Sequence, residues 1–358
     1  MRYVLIMAGG SGKRLWPLSR RDMPKQLLKV AGGRSLLRIA FDRLAGVVPP
    51  EQVLVCTGAD YAEVVVAELP ELPAGNILGE PEGRDSLNAV AWPAAVLAAR
   101  DPDAVLAVVT ADQIMHPVAA FADALREGFA VVEEDPEALV TFGVVPTSPH
   151  TGYGYLHRGE SLPGRPEVSR VLAFKEKPDQ ETAERYLAAG DYWWNSGMFV
   201  WRADTLLRQL DRLRPKTAAA VRTLAAEPER LAEIYPGLEK ISVDYAVMEP
   251  VSQGLGTAHV VAVRLPITWH DVGGFAALAE QLPRDPQGNA VAGSSVLVDA
   301  HDNLVINNAE GRLVAVVGLS DTVIVQTPQI TLVCPINEAE RVKELVAEVT
   351  EQLGSSYF

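Results

Sequence analysis

The first 26 residues read MRYVLIMAGGSGKRLWPLSRRDMPKQ. Tyr3–Met7 is a short apolar run that ends directly in a glycine turn, the pattern of a buried strand delivering a loop at its carboxyl end. Backbone N–H groups in such a loop can converge on phosphate oxygens. Ala8, Gly9, Gly10, Ser11, Gly12 and Lys13 are therefore candidate nucleotide-binding positions. Two better-known loops are excluded. The pattern GxxxxGK[ST] fails because Met7 stands at its first glycine and Arg14 follows Lys13. The pattern GxGxxG fails because Leu15 stands at its last glycine. What remains is a glycine loop followed by Lys13, Arg14, Arg20, Arg21 and Lys25.

That basic cluster sits in an acidic chain. The 358 residues carry a formal charge of −14, which excludes a general nucleic-acid binder, because phosphate backbones need a basic footprint. A composition of 48% hydrophobic and 22% charged residues is that of a globular protein. No apolar run approaches the roughly 18 residues of a membrane-spanning helix, and the N-terminus lacks a signal-peptide pattern. Cys56 and Cys334 have no metal-type spacing, so both are expected as buried free thiols in a cytoplasmic protein.

Outward from the loop, short apolar strands alternate with amphipathic helices up to about Leu265. Strands are predicted at Tyr3–Met7, Val53–Thr57, Ala104–Thr110, Leu139–Val145 and Gly197–Trp201, and helices at Leu36–Leu44 and Val118–Glu134. The alternation predicts a layered α/β domain with a mostly parallel sheet and ligands beyond the strands' carboxyl ends. From about Asn289 the chain becomes short strands broken by Gly, Asn and Asp turns, a small all-β unit. It closes in a helix, for which Asn337 and Glu340 suggest a capping box and Val342, Leu345, Val346, Val349 and Leu353 form one apolar stripe. The boundary is placed in LPRDPQGN, between Leu282 and Asn289, giving domains 1–284 and 285–358.

GGSGKRLWPLSR followed by PKQ resembles the signature of the sugar-nucleotide pyrophosphorylases, in its mannose-1-phosphate guanylyltransferase branch. Further segments resemble that branch in order: Glu80-Pro81-Glu82-Gly83-Arg84, Ala111-Asp112, Thr151-Gly152-Tyr153-Gly154-Tyr155, Phe174-Lys175-Glu176-Lys177-Pro178 and Asn195-Ser196-Gly197-Met198-Phe199. Ser242-Val243-Asp244-Tyr245-Ala246-Val247-Met248-Glu249 and Trp269-His270-Asp271-Val272-Gly273 complete the series. The resemblance implies a Rossmann-like, glycosyltransferase-A-type nucleotidyltransferase domain, a C-terminal unit of left-handed β-helix type and a divalent cation, and it suggests that the closing helix packs on the α/β domain or across a homodimer interface. An isomerase domain, carried by longer bifunctional members, is not expected.

The residues also make chemical sense on their own. Joining a sugar 1-phosphate to a nucleoside triphosphate brings two polyanions together, so charge neutralisation and alignment dominate. Arg14 and Lys25 are the candidate catalytic cations, the role the resemblance also assigns them. Asp112 and Asp271 are candidate ligands for Mg²⁺, which favours one or two carboxylates plus phosphate oxygens and water. Gly152, Glu176, Lys177 and Asn195 are expected at the sugar phosphate, and the resemblance implies Pro81, Gly83, Arg84 and Asp85 at the base. Trp193 and Trp194 could stack on a sugar, but core packing is expected for at least one.

The sequence departs from the branch pattern at Asp85, where Asn is usual, at Leu87-Asn88 in place of Ala-Pro, and at Gln113, after Ala111-Asp112, in place of His. Asp85 could accept from the N1–H and N2–H₂ edge of guanine, or cap the helix that follows. GTP and mannose 1-phosphate are the expected substrates, with no nucleic-acid or membrane partner. The alternatives are another base or hexose 1-phosphate, or a catalytically silent ligand-sensing homologue.

Overall fold

The computed structural model describes all residues except Ser11, Asp22, 30–32 and Phe358, and at Ser355 the backbone alone. The Ser11 expectation thus lies outside the described residues. The chain packs as two compact units: 1–9, 40–111 and 115–269 form one, and 10–39, 112–114 and 270–358 the other. The expected boundary at 284/285 follows the chain, whereas packing also assigns the signature loop to the tail's unit.

The first unit is built on strands β1 (Arg2–Ala8), β2 (Val53–Gly58), β3 (Ile77–Glu80) and β4 (Val105–Thr110). A short β5 (Gln113–His116) follows, then β6 (Ala138–Val144), β7 (Tyr155–Leu162), β8 (Arg165–Lys175), β9 (Tyr192–Arg202) and β10 (His259–Arg264). Among the described residues one nine-stranded sheet runs β3-β2-β1-β4-β9-β6-β10-β8-β7. β1 pairs in parallel with β2 and β4, and β2 with β3. This is the parallel part that the apolar runs predict, because β2 and β4 are buried almost throughout, but the sheet is mixed and not mostly parallel, since β7, β8 and β9 all pair antiparallel with their neighbours. β9 enters antiparallel between β4 and β6. Its apolar run marks only the second half, Gly197–Trp201, because Asn195 and Ser196 interrupt the pattern. Both are buried nonetheless. The helix Val118–Glu134 has the bounds expected, while the first helix runs Leu36–Asp42.

Trp193 and Trp194 are both buried. Trp193 belongs to the main core, and a Cβ on Gly143 would strike its ring. Trp194 lies beside Tyr153, with ring centroids 5.3 Å apart. Cys56 is buried, but Cys334 is only half-buried, because its strand is an outer one in the tail.

β11 (Thr268–Asp271) pairs with β5 in a two-stranded ribbon. In the second unit β12 (Ala290–Ala292), β14 (Leu304–Asn307) and β16 (Thr322–Gln326) stack in parallel, as do β13 (Ser295–Val298) and β15 (Val314–Val317). β17 (Thr331–Pro335) closes the first stack antiparallel to β16. Successive coils are joined by buried asparagines: Asn303 Nδ2 donates to Asn289 Oδ1 at 3.0 Å and to Leu319 O at 2.8 Å. These amides satisfy corner backbone groups that the strand pairing leaves open. One core gathers Leu15, Trp16 and Leu18 of the signature loop with Val272, Leu304, Val323, Val342 and Val346.

The closing helix corrects two expectations. Residues Ile336–Arg341 form a 3₁₀ turn and the α-helix starts only at Val342, without a side-chain cap. Glu340 therefore caps nothing, since its carboxylate meets Arg14 instead. Of the stripe, Val342 and Val346 are buried, but Leu345 and Leu353 are exposed. The buried seam is narrower than the stripe, and Leu353 lies on the helix's last residue. Among the described residues no helix is long and apolar enough to cross a membrane.

Candidate active site

In the second unit the signature loop bends at Gly12, whose φ of 58° is left-handed. A Cβ there would lie 2.7 Å from Lys25 Cβ and 3.0 Å from Ser19 Oγ. Only glycine lets the loop pass over Lys25. Ser19 Oγ donates to Gly12 O at 2.5 Å and fixes that crossing. Lys13–Leu15 and Lys25–Leu27 are short 3₁₀ turns, which anchor Leu15 and Leu27 in the interior.

Lys25 is 7% exposed. Its Nζ lies 3.0 Å from Asp112 Oδ2 and 3.8 Å from Asp271 Oδ1. Two residues far apart in sequence thus share one ammonium, and Val272 N donates to Asp112 O at 3.1 Å to tie their backbones together. Burial pushes the Asp271 carboxyl above its usual range, the Asp112 charge adds to this, and Lys25 and Arg14 oppose it. One ammonium between two carboxylates leaves a negative charge over, so the donor set suits a hard divalent cation. Arg14 is half exposed, with Nε 3.0 Å from Glu340 Oε2.

The first unit carries the other expected positions. Ala8 closes β1 and is buried, and Gly9 and Gly10 are exposed, Gly9 in this unit and Gly10 in the second. β3 delivers Glu80, after which Pro81 and Gly83 are exposed. Arg84 Nη2 donates to Glu82 Oε2 at 3.0 Å. Asp85 opens the helix Asp85–Arg100 with φ 65°, and its Oδ1 accepts from Ser86 N at 2.7 Å. Asn88, where the resemblance leads one to expect proline, is buried and donates to Arg84 O at 2.7 Å and Glu239 O at 2.8 Å. The substitution replaces a rigid ring with a two-pronged staple on the same segment.

Asn195 is 7% exposed, and its amide is held at both ends while Nδ2 keeps a second hydrogen to donate. Its Oδ1 accepts from Thr141 Oγ1 at 2.9 Å and Gly197 N at 3.2 Å, while Nδ2 donates to Asp244 Oδ1 at 2.9 Å. Lys177 Nζ donates to Glu176 Oε1 at 2.6 Å, with its own backbone at φ 45°, a strained setting of the kind found at binding sites. Gly152 N donates to His150 Nδ1 at 3.0 Å, and that loop position is exposed. The structure brings Glu176, Lys177 and Asn195 together around Asp244.

Sequence reasoning misses three residues. Glu80 is buried and accepts from Tyr235 Oη at 2.5 Å, and its Oε2 would be 3.5 Å from a Cβ on Gly9. Burial raises its pKa, against the hydrogen bonds from Tyr235 and Cys56. Asp244 lies inside one of the family-like segments, yet nothing in that segment singles it out. Glu340 reads as a cap. The spacing of carboxylates in the sequence holds no signal for Glu80 or Glu340, because their partners come from distant segments.

Residues 3–287 match the nucleotidyl transferase family, and residues 293–349 match the mannose-phosphate isomerase/GMP-like β-helix domain. The chain is 38% identical to a mannose-1-phosphate guanylyltransferase of Klebsiella pneumoniae and 37% identical to one of Escherichia coli. Each alignment covers all of this chain and 76% of the relative. A crystal structure described as mannose-1-phosphate geranyltransferase from Thermus thermophilus is 35% identical, with a TM-score of 0.85 over 97% of this chain and 99% of that one. Identity at this level over all of this chain, together with a family match that spans residues 3–287, means that the chain belongs to the mannose-1-phosphate guanylyltransferases of the nucleotidyl transferase family.

Proposed function

We propose that this chain transfers the guanylyl group of GTP to α-D-mannose 1-phosphate, giving GDP-mannose and pyrophosphate. A phosphate oxygen of mannose 1-phosphate attacks the α-phosphorus of GTP. The new P–O bond forms as the α–β anhydride breaks, and pyrophosphate leaves with the bonding electrons. The observation that supports this reading best is Lys25, buried and held 3.0 Å from Asp112 and 3.8 Å from Asp271. An ammonium fixed in this way meets the reacting phosphates without reorganising. Arg14, on the turn that leaves Gly12, supplies the second positive charge.

Asp112 and Asp271 would hold Mg²⁺, which when bound neutralises charge on the phosphates. Asp271, half-buried and beside another carboxylate, gains most from a cation. The loop Ala8–Lys13 and the segment Pro81–Asp85 receive the nucleotide in this reading. Gly152, Glu176, Lys177 and Asn195 receive the sugar phosphate. We place the protein in the cytoplasm and pair it as a homodimer. Exposed Val296, Val298 and Val317 on neighbouring strands of the tail support the pairing, and light scattering tests it.

The test of function is pyrophosphate release from four nucleoside triphosphates against mannose, glucose and fucose 1-phosphates. GTP with mannose 1-phosphate should give the highest kcat/KM. Greater turnover with another pair would overturn the assignment of substrates.

A further inference from the structure

Glu176 has a carboxylate oxygen without a partner. Its side chain is 8% exposed. Oε1 is taken by Lys177, while Oε2 is buried and has no hydrogen-bond partner. A buried carboxylate oxygen left unpaired costs free energy, and at a binding position a ligand or a water can supply the missing donor. Gly154 lets the carboxylate itself sit here: a Cβ on Gly154 would lie 2.5 Å from Oε2, so any other residue at 154 would push that oxygen from its place.

Asp244 belongs to the same cluster. It opens a single π-helical turn, Asp244–Met248, an irregularity found often at functional positions. The Glu176 charge acts on it directly, and Lys177 partly compensates. One of its oxygens, Oδ1, accepts from Asn195. Asn195 is itself pinned by Thr141 and Gly197, so Asp244 faces an amide that cannot turn away. Two carboxylates beside one exposed ammonium repel a phosphate but accept from hydroxyl groups. A polyol with neighbouring hydroxyls fits this donor and acceptor set.

We propose that Asp244 is a specificity residue of the sugar subsite, accepting a ring hydroxyl of the hexose 1-phosphate beside the one taken by Glu176 Oε2. This rests on the reading of Glu176 and Asn195 as the sugar-binding residues. A purely structural Asp244, serving only to hold Asn195, would matter for stability and not for the sugar.

Asp244→Asn separates the two, since its carbonyl can still accept from Asn195 Nδ2 while the negative charge is gone. With GTP saturating, KM for mannose 1-phosphate should rise about ten- to hundredfold, the range for losing a hydrogen bond to a charged acceptor. KM for GTP should stay within about twofold. Mannose 1-phosphates lacking one ring hydroxyl give the second readout. The deoxy position that costs the parent most, after the one read by Glu176, should cost Asp244→Asn little. An unmoved sugar KM in the folded variant overturns the proposal, even if its melting temperature falls. Should Asp244→Asn not fold, Asp244→Ser keeps a small acceptor for Asn195 and goes through the same assays, where a raised or an unmoved sugar KM decides in the same way. A parent without turnover on any hexose 1-phosphate would sink the functional reading, and the inference with it. An active parent with an unmoved variant sinks the inference alone.

Discussion

Arg14 Nε lies 3.0 Å from Glu340 Oε2, so a carboxylate from the tail occupies the cation at the head of the signature loop. GTP must share or displace that contact. Both side chains are at least half exposed, and such a pair is worth no more than about 1 kcal/mol. Glu340→Gln should therefore lower KM for GTP, by up to about fivefold, with kcat nearly unchanged. A raised KM would mean that Glu340 positions Arg14 instead of competing for it.

Removing the cations should do far more. Arg14→Ala or Lys25→Ala should lower kcat about a hundred- to thousandfold, since each takes away fixed charge from the reacting phosphates. Asp112→Asn and Asp271→Asn should both raise the Mg²⁺ concentration needed for half-maximal activity, because Asn keeps the shape and lacks the charge. Metal titrations that superimpose on the parent's in both variants would refute the two-carboxylate site.

Much of this cluster was legible in the sequence, because Gly12, Arg14 and Lys25 sit in one unbroken stretch and Asp112 and Asp271 each end a strand-like run. The parallel half of the sheet was legible for a similar reason: β1, β2 and β4 are continuous apolar runs. The antiparallel half was not. β7 and β8 alternate buried and exposed residues irregularly, with register shifts between them, and polar Asn195 and Ser196 lie buried inside β9. Nor could the sequence assign Leu15, Trp16 and Leu18 to the tail's core, which depends on contacts across most of the chain's length.

Asp85 has its carboxylate on Ser86 N. That bond gives the carboxylate a role within its own segment. Asp85→Ala should then lower the melting temperature, through loss of a hydrogen bond to the backbone worth about 0.5–1.5 kcal/mol. The ratio of kcat/KM for GTP and ATP should not change. An eroded ratio would place the Asp85 carboxylate against the base.

Asp244 predicts opposite pH trends for stability and for sugar binding. Burial, and then the Glu176 charge, raise its pKa to about 7, while Asn195 and Lys177 oppose the shift. Between about pH 4 and 7 the folded protein binds a proton that the unfolded chain has released, so this group's contribution to stability falls as pH rises. The ionised form, which accepts hydroxyls, grows over the same interval. KM for mannose 1-phosphate should therefore fall as pH rises through about 7. In Asp244→Asn both trends should flatten, and an unchanged pH profile in that variant would remove Asp244 as their source.

The tail helix allows a test of why the signature loop is part of the second unit. Val346 is 2% exposed and Leu353 is 63% exposed, although both belong to one apolar stripe in the sequence. Val346 shares a core with Leu15, Trp16 and Leu18, and Trp16 Nε1 donates to Tyr357 O at 2.7 Å. Truncating a buried side chain loses its transfer free energy and leaves a cavity. Val346→Ala should cost about 1–3 kcal/mol on that account, and Leu353→Ala almost nothing. Because Leu15 follows Arg14 directly, loosening this core should also raise KM for GTP in Val346→Ala. Deleting the chain after Gln281 should abolish activity together with stability, since the loop's three apolar anchors would lose their cover. Thermal melts and GTP titrations of the two point variants decide the matter: equal losses at Val346 and Leu353, or a GTP KM that ignores Val346, would show that the tail does not support the loop.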